Sequence, residues 1–244
     1  MRIKNILLRG RKLKMRKNLL LAIISDTHGH LSVDLTKGDV LCICGDIFPK
    51  NIDRDLSKSH IWFTTVFLPW IQNIKYSKIL LLPGNHDMYL QEIGDDIHSI
   101  IKEFNLSSKL IFLCNRSFVY GNWIFYGSPW VTNLPRWAFN TDDPQGKFEQ
   151  IPHDCDVLLT HHAPDYGKLG CSYPNTDKEI EFGCPELTNA IKNRPNIKYH
   201  FCGHIHTGTH GGVEIGSTKS YNVSILDENY KVAFPITYIE LKTN

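Results

Sequence analysis

The sequence has little of several features that mark particular classes of protein. Its seven cysteines are an odd number and include no C-x-x-C pair, which excludes a disulfide framework or a zinc finger as the basis of the fold. The apolar run at 19–24 is too short for a signal peptide, and no run approaches the ~20 residues of a membrane span. We therefore expect a protein of a reducing, cytoplasmic compartment without a membrane segment.

Net charge is also small, because 27 lysines and arginines stand against 25 aspartates and glutamates. Residues 1–17 nevertheless contain eight basic residues and no acidic one, which leaves residues 18–244 with a net charge of −6. We interpret 1–17 as a flexible basic arm, and Met15 is an alternative start within it. Nucleic acid is a disfavoured partner, because no base-reading motif accompanies these charges and a solvated tail explains them.

The composition of the chain is that of a globular protein. Hydrophobic residues make up 42% and charged residues 21% of the 244 positions, which excludes an intrinsically disordered chain. No internal repeat, low-complexity tract or Gly/Ser/Pro linker interrupts residues 18–244. We therefore expect a single domain over 18–244 that is long enough to bury a sizeable core.

The apolar residues are grouped in short runs, and each run ends abruptly in a polar cluster. Runs of this kind without alternation are typical of strands buried on both faces, and they occupy 19–24, 40–44, 79–82, 157–159 and 199–202. Further strands are predicted at 123–126, 221–226 and 235–241, and helices at about 58–74, at about 91–104 and from Pro185 to before Pro195. Pro69 should kink or end the first helix. The alternation indicates an α/β protein with a mixed sheet or two packed sheets.

The polar clusters contain residue types that bind metal ions. Ligands in open α/β sheets bind beyond the carboxyl ends of strands, and these clusters occupy that position. Carboxylates, imidazoles and an amide oxygen are ligands for Mn, Fe or Zn, and here they are too numerous for one ion. We expect two divalent ions that share a carboxylate. The candidate ligands are Asp26, His28, Asp46, Asn85, His161, His204 and His206.

These residues carry a resemblance to a known family. In order along the chain they form D-x-H (26–28), G-D (45–46), G-N-H-D (84–87), T-H-H-A-P (160–164) and G-H-x-H (203–206). This ordered set resembles the calcineurin-like metallophosphoesterase superfamily. GSPW at 127–130, WAFN at 137–140, GC-x-EL at 183–187 and N-x-S at 222–224 are similar to its metallophosphoesterase-domain-containing branch, which has brain-expressed animal, bacterial and viral members.

The resemblance implies a fold and an assignment of the ligands. The fold would be a four-layer α/β/β/α sandwich with two mixed β-sheets. Asp46 would bridge two metal ions, for which Mn²⁺ is expected in vitro, with Fe, Zn or Ni as alternatives. The first ion would be held by Asp26, His28 and His206, and the second by Asn85, His161 and His204. Because neighbours on a strand point to opposite sides, His162 is the alternative to His161, and the family pattern favours His161.

The resemblance also implies an activity. The protein would be a metal-dependent phosphoesterase that hydrolyses small phosphodiesters, cyclic nucleotides in particular, through a hydroxide that bridges the ions, since coordination lowers the pKa of bound water to about 7. The alternatives are a phosphomonoesterase or protein phosphatase on the same centre and a non-catalytic scaffold. His86 is the candidate proton donor to the leaving oxygen, and Asp87 is expected to orient it.

Three further residues are candidate substrate contacts. His30 and His162 lie next to predicted ligands in the sequence, and Trp130 could stack on a base. Two of them have a structural alternative, namely a solvated loop for His30 and packing of the 128–150 insertion for Trp130.

Overall fold

A computed structural model describes residues 18–242, and the basic arm at 1–17 and the Met15 alternative lie outside these residues. The described part contains thirteen strands. They are β1 (Leu19–Ile24), β2 (Val40–Cys44), β3 (Lys78–Leu82), β4 (Leu110–Phe112), β5 (Arg116–Tyr120), β6 (Trp123–Ser128), β7 (Val157–Thr160), β8 (Cys171–Ser172), β9 (Ile180–Glu181), β10 (Tyr199–Cys202), β11 (Val213–Ile215), β12 (Thr218–Asn222) and β13 (Thr237–Leu241).

Six α-helices accompany these strands in the described part of the chain. They are α1 (Leu56–Trp62), α2 (Leu68–Asn73), α3 (Met88–Ile93), α4 (Ile97–Glu103), α5 (Pro144–Glu149) and α6 (Pro185–Lys192). A π-helical turn, Phe63–Phe67, joins α1 to α2, and a 3₁₀ turn, Gly94–Asp96, joins α3 to α4.

The strands form two mixed sheets and a short hairpin. The first sheet has the order β13-β1-β2-β3-β4, in which β1 to β4 are parallel and β13 is antiparallel to β1. The second has the order β11-β12-β10-β7-β6-β5, with a parallel centre and an antiparallel strand at each edge. The hairpin pairs β8 with β9.

Three hydrophobic clusters show how these sheets and helices are layered. One cluster joins a face of the first sheet to α1–α4, the second lies between the two sheets, and the third joins the far face of the second sheet to α5 and α6. Strands such as β2, in which all five residues are buried, are covered on both faces, as their unbroken apolar runs predict. The four-layer α/β/β/α sandwich with two mixed sheets is thereby confirmed.

The first two predicted helices differ from the observed ones. The chain stays helical past Pro69, because a π turn precedes this proline and it occupies the first turn of α2, where a missing N–H is tolerated. The buried face consists of Phe63, Phe67 and Ile71, whereas Val66 is exposed. The predicted helix at 91–104 is divided at Gly94, which adopts a φ of 51°. The helix starting at Pro185 ends at Lys192, before Pro195, as predicted.

Candidate metal centre

The predicted ligands lie where five parallel strands end at one edge of the sandwich. Asp26 and Asp46 follow β1 and β2, and Asn85 follows β3 in the first sheet. His161 and His204 follow β7 and β10 in the second sheet. A backbone bridge between Ser25 and Ser224 joins the two sheets next to Asp26, so the strand ends of both sheets face a common space.

Four of these residues have an unusual backbone conformation. Asp26, His28, Asp46 and His204 adopt φ values of 55°, 40°, 55° and 72°. Residues other than glycine rarely occupy this left-handed region, and such strain concentrates at functional sites. It is held by backbone hydrogen bonds between neighbouring strand ends, since Asp26 N donates to Gly45 O at 3.0 Å and His28 N to Asp46 O at 3.0 Å.

Glycines make room for the close approach of these strand ends. A Cβ atom on Gly84 would lie 2.4 Å from Asp46 Oδ1 and 2.7 Å from Asp46 N. A Cβ atom on Gly45 would lie 2.4 Å from His161 Nδ1, and one on Gly203 would lie 2.3 Å from Asp26 Oδ2. A glycine precedes a predicted ligand in each of the G-D, G-N-H-D and G-H-x-H motifs. Any larger residue at these positions would clash with a neighbouring strand end.

Replacing Gly84 by alanine is expected to lower the free energy of unfolding by about 1–3 kcal/mol, because backbone atoms of Asp46 must move to admit the methyl group. Chemical denaturation of the two proteins measures the change. Gly211→Ala is the matched control, since no atom lies within 4 Å of its added Cβ and its φ is not positive. Equal effects of the two substitutions would contradict the steric argument.

The first group of candidate ligands is Asp26, His28 and His206, whose ligand atoms all lie within 4.8 Å of one another. His206 Nε2 is 3.6 Å from Asp26 Oδ1. His28 Nε2 is buried without a hydrogen-bond partner. Burying a polar atom in this way costs free energy unless it binds something, such as a metal ion. Asp26 is oriented by Ser224 Oγ, which donates to its Oδ2 at 2.6 Å. This donor set fits a divalent transition-metal ion.

The second group is Asp46, His161 and His204, also within 4.8 Å of one another. His161 Nε2 lies 2.9 Å from Asn85 Oδ1 and 3.3 Å from Asp46 Oδ2. The same Asp46 oxygen is 3.8 Å from His28 Nε2 in the first group. Asp46 therefore lies between the two groups, where a bridging carboxylate is required.

Three of the histidines are oriented in the same way. The Nδ1 atoms of His28, His161 and His206 lie 3.3, 2.8 and 3.0 Å from the carbonyl oxygens of Phe48, Cys44 and Asp227. A hydrogen bond from Nδ1–H to a carbonyl fixes the tautomer and leaves the Nε2 lone pair free for a metal ion. In each case Nε2 is the atom that faces the carboxylates.

Comparison with known proteins identifies the family. The family described as calcineurin-like phosphoesterase matches residues 19–208. The chain belongs to this family. Family membership implies a metal-dependent phosphoester hydrolase, and the two residue groups supply sites that could hold the metal ions.

Several relatives of this phosphoesterase are similar over most of its length. Metallophosphoesterase domain-containing protein 1 of Homo sapiens is 28% identical over 241 residues, covering 90% of this chain and 70% of the human protein. A UPF0046 protein of Caenorhabditis elegans is 29% identical, covering 88% of this chain and 78% of the relative. Among solved structures, the phosphopantetheinyl hydrolase of Mycobacterium tuberculosis has a TM-score of 0.51 at 14% identity, covering 84% of this chain and 88% of that one, which shows the shared fold.

The electrostatics of this phosphoesterase site favour cations between the carboxylates. Burial lowers the pKa of His28 to about 4 and that of His204 to about 3, so both imidazoles are neutral at pH 7 and could bind a metal ion. Burial also disfavours charge on His161 and His206, but Asp46 raises the pKa of His161 to about 10 and Asp26 raises that of His206 to about 9. The buried carboxylates thus attract positive charge, which divalent ions would also supply.

His162 borders the ligand group that contains His161 but is not a member of it. Its Nε2 atom lies 2.9 Å from Thr132 Oγ1, and its ring packs edge-on against His204 with 5.2 Å between centroids. Of the two neighbouring histidines, the structure places His161 with Asp46 and Asn85 and places His162 against the loop that contains Thr132.

His86 forms a third group of candidate ligand atoms with His28 and Asp46, all within 4.8 Å of one another, and its orienting partner is Asp53. Its ring centroid is 4.8 Å from that of His28, and its Nδ1 lies 2.5 Å from Asp53 Oδ2. Asp87 instead accepts hydrogen bonds from backbone N–H groups of Asp46, Ile47 and Gly84 at 2.7–2.9 Å. The expectation that Asp87 orients His86 is therefore wrong, because its carboxylate holds two strand ends together.

Two tryptophans of the 128–150 insertion have different surroundings. Trp130 Nε1 donates to Asn115 Oδ1 at 2.9 Å, and its ring packs on the cluster beneath α5 and α6, so packing accounts for its position and a contact with substrate stays a prediction. Trp137 lies beside His86, with 4.2 Å between ring centroids. His30 is exposed in the loop between β1 and β2. The proximity of Asp53 and Trp137 to His86 has no local sequence signal.

A membrane-spanning helix is also absent from residues 18–242, because none of their helices combines the required length with the required hydropathy.

Proposed function

We propose that this protein hydrolyses small phosphodiesters, cyclic nucleotides in particular, with two divalent ions bound at the candidate metal centre. One ion would be held by Asp26, His28 and His206, and the other by Asn85, His161 and His204. Asp46 would bind both ions. The observation that carries the proposal is the position of Asp46 between two groups of largely buried metal-binding side chains. We expect Mn²⁺ to support activity in vitro.

The protein residues around the ions would organise the reaction. Two bound ions would supply an activated water at neutral pH and balance negative charge on the phosphoryl oxygens. Ser224 fixes the Asp26 carboxylate, and backbone carbonyls fix three imidazoles, so the ligands need little rearrangement. Preorganised ligands of this kind lower the barrier because no reorganisation is needed during the reaction.

His86 is the proposed proton donor to the leaving oxygen. It adjoins the first ligand group, and its Nδ1 bonds to the Asp53 carboxylate, which leaves Nε2 facing away from Asp53. As an imidazolium, which that carboxylate would stabilise, His86 would donate its Nε2 proton to the leaving oxygen and become neutral. Trp137 forms a wall beside the ring and would keep it oriented.

The preference for a nucleoside-sized phosphodiester is supported by the space next to His86. A pocket of about 460 Å³ is lined in part by Trp137, and its volume falls in the range of small-molecule sites. An aromatic wall beside the proton donor suits a leaving group that contains a sugar and a base.

The proposal predicts metal-dependent turnover of bis-p-nitrophenyl phosphate by Mn²⁺-loaded protein, with a higher kcat/KM than for the monoester p-nitrophenyl phosphate. Removal of the metal with EDTA should abolish turnover, and added Mn²⁺ should restore it. A screen of 2′,3′- and 3′,5′-cyclic nucleotides then tests the natural class. Turnover of the monoester alone would contradict the phosphodiesterase assignment. No turnover of either ester by protein with two bound ions would contradict a hydrolase and favour a binding role.

A further inference from the structure

The pocket beside His86 has a basic lining. It is formed by Arg54, Asn133, Leu134, Pro135, Arg136 and Trp137 and has a volume of about 460 Å³. Two of the six residues are arginines and none is acidic. Because Trp137 also contacts His86, with 4.2 Å between ring centroids, this pocket shares one wall with the proposed proton donor.

The two arginines are not engaged by acidic residues. Within residues 18–242, no carboxylate forms an ion pair with Arg54 or Arg136. Arg116, by contrast, bonds to Asp95 at 2.8 Å, and Arg194 is buried and donates to three backbone carbonyls. The guanidinium carbon of Arg54 lies 4.0 Å from the centroid of the Trp137 ring, a stacking contact that holds the group over the pocket. Positive charge is therefore positioned there without a protein counter-ion.

Both arginines lie on segments that are anchored to the metal centre. Arg54 directly follows Asp53, which bonds to His86. Arg136 lies in the loop at 131–141, which is attached at Thr132 to His162 (2.9 Å) and at Ala138 N to Asn85 O (3.1 Å). Phe139 N adds a third bond to Gln91 Oε1 at 2.9 Å. Hydrogen bonds therefore fix the position of both arginine-bearing segments relative to the candidate metal centre.

We propose that this pocket binds a second phosphate group, carried by the leaving-group side of the substrate. The inference rests on the proposed function, because it assumes a phosphodiester substrate and assigns this pocket to the part of that substrate that does not react. Guanidinium groups match phosphate oxygens with paired N–H donors, and two of them balance a dianion. The preferred substrates are therefore phosphodiesters that carry an additional phosphate, such as a nucleoside cyclic phosphate with a 5′-phosphate.

A matched pair of substrates tests the proposal on the Mn²⁺-loaded protein. The pair is adenosine 2′,3′-cyclic phosphate with and without a 5′-phosphate, and the readout is kcat/KM. We expect about tenfold higher kcat/KM for the phosphorylated substrate, which corresponds to one good charged contact. The preference should decline with added salt, because both arginines are exposed.

Variants assign the preference to the pocket. Arg136→Ala and Arg54→Ala should each reduce the preference severalfold, Arg136→Glu should remove it, and Arg136→Lys should keep part of it. Arg116→Ala, a surface arginine engaged by Asp95, is the matched control and should keep the full preference. Circular dichroism verifies that each variant is folded.

The outcomes separate this inference from the proposed function. Wild-type protein that hydrolyses both cyclic phosphates equally well would overturn the second phosphate site and leave the phosphodiesterase assignment in place. A preference that survives in both arginine variants would overturn it as well. Loss of bis-p-nitrophenyl phosphate turnover in these variants to the same extent as loss of the preference would show that the arginines bind the reacting phosphoryl group, which also overturns the inference. Absence of all turnover contradicts the proposed function itself.

Discussion

Asp46→Ala is expected to reduce kcat/KM for bis-p-nitrophenyl phosphate by about 10³-fold or more, the scale associated with the loss of a central electrostatic contact in an active site. The carboxylate lies 3.8 Å from His28 Nε2 and 3.3 Å from His161 Nε2, so the second ligand group loses a member and the first loses the carboxylate beside His28. Asp46 Oδ1 also accepts a hydrogen bond from His86 N at 2.7 Å. The substitution therefore affects both metal positions and the backbone of the proposed proton donor.

Metal analysis of the purified variant separates loss of ions from other effects. We expect fewer than two Mn²⁺ ions per chain for Asp46→Ala, against two for the wild type. Asp154→Ala is the control, because Asp154 is exposed and lies before β7, away from the strand ends that form the site. Full metal content with full activity in Asp46→Ala would contradict the bridging assignment.

His86→Ala is expected to lower kcat by about 10²- to 10⁴-fold, the usual contribution of general acid catalysis, with metal content unchanged. Asp53→Asn should cause a smaller loss, because the imidazole remains but its orientation is no longer fixed by the carboxylate at 2.5 Å. His153→Ala, an exposed histidine, is the control. Metal analysis and kcat are measured on the same preparations.

The identity of the leaving group gives a sharper test of His86. A p-nitrophenolate leaves readily without a proton, whereas the alkoxide of a ribose does not. The His86→Ala defect should therefore be much larger for a cyclic nucleotide than for bis-p-nitrophenyl phosphate, and Asp53→Asn should show the same trend. Equal defects on both substrates would assign His86 a role in positioning the phosphoryl group rather than in protonation.

The ligand groups could be predicted from the sequence because each motif is local and follows an apolar run. The run at Val40–Cys44 followed by Gly45 and Asp46 identifies a buried strand, a glycine that allows close approach and a carboxylate. Parallel strands then bring such ends to one edge. The four layers of the sandwich came from the family resemblance, because periodicity alone leaves one mixed sheet or two packed sheets open.

The support around His86 could not be predicted, because it depends on contacts between distant residues. Asp53 lies 33 positions before His86 and has no distinctive neighbours in the sequence. Asp87 is adjacent to His86, but the chain turns at this strand end, so the two side chains have different directions. The Asp87 carboxylate faces the backbone at the end of β2. The division of the predicted helix at Gly94 could not be predicted either, because the spacing of apolar residues does not show that Gly94 adopts a φ of 51°.

The hydrogen bonds of Asp26 have a consequence for the order in which this molecule assembles. Its carboxylate is held by the backbone of His204 and the side chain of Ser224, which are 178 and 198 positions later in the chain. During synthesis from the amino end, the first three strands emerge with Asp26, His28, Asp46 and Asn85 long before their histidine partners. The complete site therefore forms only after β10 has joined the second sheet, and such long-range closure is slow compared with local folding. Uptake of two ions would thus mark a chain whose two sheets have already met.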